Sequence, residues 1–123
     1  MSAPVVLVLV DDDAVRGAIR FALDVEGMGV EVFASLGEMQ RAMPGAASCL
    51  VINDGPDGPD MLATLEMLRG GGMSVPTVIL ATTPSADYLD SAHRLNASVV
   101  EKPLLCDELV TEIRRLSSGK ARQ

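Results

Sequence analysis

The chain has 123 residues, 48% of them hydrophobic but only 2% aromatic, and its 10 basic and 17 acidic side chains leave a net charge of −7. That length fits one domain whose core is built from Val, Leu, Ile, Met and Ala, a composition suited to helices packed on a parallel sheet. The acidic balance argues against a nucleic-acid partner, and the lack of a long apolar run or a signal peptide argues against a membrane, so a cytoplasmic protein is expected.

Val5-Val6-Leu7-Val8-Leu9-Val10 reads as a strand covered on both faces, and it stops at Asp11-Asp12-Asp13. Asp13 is expected to cap the helix that follows, in which Val15, Ala18, Ile19, Ala22 and Leu23 recur at helical spacing until Gly27 closes it. Gly29 to Phe33 reads as a second strand. Ser35-Leu36-Gly37-Glu38 has the capping-box spacing of a short helix that ends near Pro44-Gly45. Cys49-Leu50-Val51-Ile52 is a third strand, and it runs into Asn53-Asp54-Gly55-Pro56-Asp57-Gly58-Pro59-Asp60, a loop by its glycines and prolines.

Leu62, Leu65 and Leu68 mark a third helix ending in Gly70-Gly71-Gly72, and Val75 to Ala81 a fourth strand. Ser85 is expected to cap a helix to about Leu95, Ser98-Val99-Val100 to form a fifth strand, and Leu109, Ile113 and Leu116 to mark a last helix before a frayed tail at 119–123. The triple glycine follows a helix and precedes no Gly-Lys-Ser/Thr, so it is not a phosphate loop. Cys49 and Cys106 lack CxxC spacing and read as two reduced thiols. Five strands alternating with five helices give an α/β fold, a five-stranded parallel sheet with helices on both faces, formed as one domain over 1–123.

In such sheets the working site lies at the carboxyl ends of the strands. Strand one ends at Asp11-Asp12-Asp13, strand three at Asn53-Asp54, strand four at Thr82-Thr83 and strand five at Glu101-Lys102-Pro103. Acids, a hydroxyl and a lysine therefore converge.

That ordered set, with Val15-Arg16, Leu68-Arg69 and Glu101-Lys102-Pro103-Leu104, resembles the receiver domains of response regulators over essentially the whole chain. The resemblance implies a flavodoxin-like (βα)5 fold with strand order 2-1-3-4-5, and a place in two-component or phosphorelay signalling. In that family an aspartate ending strand three takes a phosphoryl group from a phosphohistidine. Paired acids after strand one hold Mg²⁺, and a lysine and a hydroxyl neutralise and bind the new phosphate.

Lys102 and Thr82 match the last two roles, and Asp11 with Asp12 the metal pair, with Asp13, Asn53 and Gly55 as further candidate ligands. The phosphoacceptor position holds Asn53, whose amide is a poor nucleophile. The expected protein is therefore a non-enzymatic, stand-alone receiver that signals through protein contacts, with weak Mg²⁺ binding and with Lys102 paired to Asp11 or Asp12.

Two alternatives stay open, phosphorylation at Asp54, which needs a bulge at the strand end, and a small haloacid-dehalogenase-like phosphatase with Asp11 as nucleophile. The partners implied by the resemblance are a sensor histidine kinase, a phosphotransfer protein or another response regulator. Docking would use helix one with Arg16 and Arg20. Output, or a homodimer through helix four, strand five and helix five, would use Tyr88, His93, Val99 and Leu109.

Overall fold

A strand buried on both faces needs apolar side chains at consecutive positions, and the first, third and fourth strands of this chain largely supply them, while the two edge strands carry Glu31 and Glu101 out to solvent. The computed structural model describes residues 5–42, 47–54, 60–102 and 106–117, with the backbone alone at 106 and 107. The elements run β1 (Val5–Leu9), α1 (Asp13–Val25), β2 (Gly29–Phe33), α2 (Leu36–Ala42), β3 (Cys49–Asn53), α3 (Met61–Gly70), β4 (Thr77–Ala81), α4 (Ala86–Arg94), β5 (Ala97–Glu101) and α5 (Cys106–Ser117). Every neighbouring pair is parallel, in the order β2-β1-β3-β4-β5. This is the parallel α/β sheet that the strand–helix alternation predicts, in the flavodoxin-like (βα)5 order that the resemblance implies.

Strand side chains alternate between faces, so each strand feeds two cores. Val6, Val8 and Val10, Cys49 and Val51, Val78 and Leu80, and Val100 pack under Ile19 and Leu23 of α1 and Leu109, Val110 and Ile113 of α5. Leu7, Leu9, Leu50, Ile52 and Ile79 face the other way, against Met39 of α2, Met61 and Leu65 of α3 and Ala92 of α4. Fully burying one such aliphatic side chain contributes about 1.5–3 kcal/mol, so both layers are held mainly by their Val, Leu and Ile.

Polar side chains set where the helices start and stop. Asp12, not Asp13, caps α1, accepting from the Val15 amide at 3.0 Å. Asp13 is the first helical residue instead and pairs with Arg16. The β1–α1 turn is thus one residue tighter than the sequence reading assumed, because the helix begins as soon as an extended residue can offer its carboxylate three positions ahead.

Gly27, at φ 80°, closes α1 with Gly27 N–H donating to Asp24 and Met28 N–H to Leu23. Ser35 accepts from Glu38 N–H at 3.2 Å while the Glu38 carboxylate accepts from Ala34 N–H at 2.9 Å, a capping box shifted back by one amide. Ser85 caps α4 as expected, and Asp60 caps α3, a role its position in an acidic loop had hidden. Pro44-Gly45, the tail at 119–123 and the Cys106 side chain lie outside the described residues.

Arg69, at the end of α3, ties that helix to the amino-terminal edge of β4 and β5. Its guanidinium donates to the carbonyls of Leu95 (2.8 Å), Met73 (3.3 Å), Val75 (2.8 Å) and Asn96 (3.2 Å) and to the Thr77 hydroxyl (3.2 Å). Asn96 sits at φ 60°, a left-handed conformation that asparagine tolerates and that turns its carbonyl toward the arginine.

Candidate functional site

The alternation that builds the two cores also sorts the residues at the carboxyl ends of the strands. Asn53 follows Cys49 and Val51 onto the α1/α5 face, and Thr82 and Lys102 continue the rows of Leu80 and Val100 toward the same side. Backbone pairing carries the sheet past its formal ends, because Asp54 N–H donates to Leu80 C=O and Lys102 N–H to Ala81 C=O, each at 2.8 Å. Asn53 and Lys102 are therefore held by sheet backbone rather than by loops.

The two side chains meet. Lys102 Nζ donates to Asn53 Oδ1 at 2.9 Å and reaches the Asp54 carbonyl at 3.5 Å. The expected pairing of Lys102 with Asp11 or Asp12 is not formed, since its ammonium rests on the neutral amide across the sheet. The cause lies in β1. Leu9 is in register with Ile52, so the next residue, Val10, runs alongside Asn53, and Val10 is buried. The acids start one residue later and are all exposed. The Asp12 Oδ1 is engaged in the α1 cap and the Asp11 carboxylate makes no hydrogen bond or ion pair with another described residue.

Asp54 takes the opposite face. It follows Leu50 and Ile52, and its Oδ2 accepts from the Tyr88 hydroxyl of α4 at 2.5 Å. Burial holds the Tyr88 hydroxyl above its ordinary value near 10, and the hydrogen bond to Asp54 and the charges of Asp54 and Asp60 push it the same way. A phenol held neutral beside a carboxylate is a committed donor. Nothing in the residue pattern points to this contact, which joins residues 34 apart in the chain.

Thr82 is exposed just beyond β4, and Thr83 beside it sits at φ 48°. A β-branched residue in the left-handed region, here also preceding Pro84, stores on the order of 1–3 kcal/mol, and such strain collects at working loops.

Hard dications such as Mg²⁺ want about six oxygen ligands in a near-octahedral shell. Here the Asp11 and Asp12 carboxylates stand at the mouth, the Asn53 oxygen is occupied by an ammonium, and among the described residues no three His, Cys, Asp or Glu side chains converge as a metal group. Asp13 is engaged with Arg16, and Gly55 lies outside the described residues. The described protein donors for such an ion are therefore Asp11 and Asp12, with water left to supply most of its shell.

The presumed docking residues divide. Arg16 is only 18% exposed and donates to the Val10 carbonyl at 2.7 Å, so it braces β1 against α1, whereas Arg20 is open to solvent. Leu109 is fully buried in the core under α5 and cannot belong to an exposed output face. It occupies the inward position of its helix, one turn before Ile113. Tyr88 and Val99 are half-buried and His93 is exposed. What α5 offers beside β5 is a groove lined by Val99, Val100, Glu101, Glu108, Thr111 and Glu112.

No family model matches the chain. The transcriptional regulatory protein FixJ of Bradyrhizobium diazoefficiens is 28% identical over 110 residues, 88% of this chain and 54% of the relative. Full-length FixJ from B. japonicum superposes with a TM-score of 0.79 at 27% identity, covering 98% of this chain and 60% of that one. The chain is a response-regulator receiver domain. The Francisella response regulator 1452 receiver domain has the same fold, with a TM-score of 0.84 at 22% identity over 94% of this receiver and 98% of that one. The receiver spans about half the length of the curated relative it matches. Among the described residues no helix is long and apolar enough to cross a membrane.

Proposed function

We propose that this receiver works in two-component signalling as a cytoplasmic, non-enzymatic protein-contact module, acting as one unit over 1–123 and without forming an aspartyl phosphate. The observation that carries the reading is the 2.9 Å contact between Lys102 Nζ and Asn53 Oδ1. Where the family places a nucleophilic carboxylate, this chain has an amide already engaged by the cation that would otherwise wait for phosphate. An amide oxygen cannot form the acyl phosphate, and with Val10 beside it the acids that follow β1 sit in solvent. Mg²⁺ affinity is accordingly low, with Asp11 and Asp12 as its residual ligands.

Phosphorylation at Asp54 is disfavoured by the same geometry. Its carboxylate would have to leave Tyr88 and cross to the face where Lys102 and Thr82 lie, which a parallel strand allows only through a bulge. An Asp11 nucleophile is disfavoured because its carboxylate touches neither Thr82 nor Lys102.

The partner is a sensor histidine kinase, a phosphotransfer protein or another response regulator. Output is proposed through α4, β5 and α5, where Tyr88 and His93 belong to α4 and Val99 lines the acid-lined groove. The test is incubation with a small-molecule phosphodonor and Mg²⁺, followed by intact mass and peptide mapping. No adduct is expected. An adduct mapped to Asp54 would return the protein to ordinary phosphorelay signalling, and one on Asp11 would make it a phosphatase candidate.

A further inference from the structure

The outward side of α1 is unusual for a surface helix. Phe21 and Val25 are 71% and 66% exposed, and with Met67 of α3 they are the exposed large hydrophobics of the described chain. Ala14 and Ala18 are exposed on the same side, so Ala14, Ala18, Phe21 and Val25 form an apolar stripe at spacings of four, three and four, the repeat of a two-helix seam. Ile19 and Leu23, which face the sheet, already supply this helix's share of the core. The stripe is surplus to folding.

We propose that α1 pairs antiparallel with α1 of a second copy of this chain through that stripe. Two features of the sequence make the surface self-complementary. A two-fold axis passing between Ile19 and Arg20 sets Ala14 against Val25 and Ala18 against Phe21 of the other copy, so each large side chain meets a small one and the helices can approach closely. The flanking row carries Arg20 and Asp24, each 58% exposed and only loosely paired at 4.0 Å within the chain. The same axis brings the two Arg20–Asp24 pairs side by side, where each arginine can reach the other copy's aspartate, and the cluster is neutral.

An isologous contact of this kind satisfies the closure that soluble dimers require. The expected self-contact through α4, β5 and α5 is the weaker candidate, because Leu109 belongs to the core and three glutamates line the groove there. One helix pair falls short of the roughly 1,200–2,000 Å² buried in stable complexes, so the association is weak and reversible.

Sedimentation equilibrium of the full chain over a wide concentration range tests this, with far-UV circular dichroism confirming that each variant folds. Reversible dimerisation is expected. Phe21→Ala leaves a hole and Ala18→Phe a clash, and each is expected to weaken the dimer at least tenfold. The double variant A18F/F21A exchanges large for small across the axis and is expected to recover most of the loss. A monomer at every concentration overturns the pairing and leaves the stripe to a helix of another protein. A dimer indifferent to both single changes, or one that the double variant fails to rescue, also overturns it.

Discussion

Thr83 and Tyr88 show most directly what single residues contribute at the carboxyl edge of the sheet. Thr83 holds φ 48° with a β-branched side chain, so Thr83→Gly is expected to raise stability by about 1 kcal/mol, the strain relieved less the entropy glycine adds to the unfolded chain. Chemical denaturation checks this, and an unchanged or lower midpoint would count against stored strain. Tyr88→Phe removes the donor to Asp54 and is expected to cost about 1–2 kcal/mol, since the carboxylate is left half-buried without it.

Alkaline pH should unmask the neutral groups. Cys49 is pushed by burial from 9.0 up to about 12, and Tyr88 is also raised above its ordinary value near 10. Both groups keep their proton in the fold and lose it more readily when unfolded. Their contribution is complete below about pH 9 and is lost as pH rises, first through the thiol and then through the phenol. The stability gap between wild type and Tyr88→Phe is therefore expected to narrow above pH 10. A gap that widens there would contradict the assignment.

At the scale of elements, Arg69 is the joint between α3 and the β4–β5 edge. Its five acceptors are backbone carbonyls and one hydroxyl, with no carboxylate among them, and burial lowers its pKa from the ordinary arginine value. Arg69→Met is expected to destabilise by about 2–4 kcal/mol because several of those acceptors lose their donor inside the fold. Hydrogen exchange should speed up in α4 and β5 before it does in β1, and uniform acceleration would place the joint elsewhere.

Element identity was readable from the chain because β1, β3 and β4 are nearly unbroken apolar runs and α1, α2, α3 and α4 start at polar caps. The boundaries were less so. Asp12 and Asp13 are chemically equal caps, and only the tightness of the β1–α1 turn chooses between them. Leu109 could be assigned to the helix but not to its inward side, because an output role was inferred from resemblance while its burial depends on the position of β5 underneath.

Across the whole molecule, the strand-end residues were legible as a set, since the fold class brings Asp11, Asn53, Thr82 and Lys102 to one edge. Their pairing was not. Which partner Lys102 takes depends on the β1–β3 register, which puts Val10 where an acid would have to stand, and that register joins segments more than forty residues apart. The same register implies that one substitution could rebuild part of the missing chemistry.

Asn53→Asp restores a carboxylate within reach of Lys102, and the most direct test of the account compares this variant with the wild type under one phosphodonor and Mg²⁺, by intact mass and base lability. The wild type is expected to gain no acyl phosphate and to show Mg²⁺ binding no tighter than millimolar by calorimetry, while Asn53→Asp gains a base-labile phosphoryl group at residue 53. A base-labile adduct on the wild-type chain would contradict the claim that its signalling proceeds without phosphate.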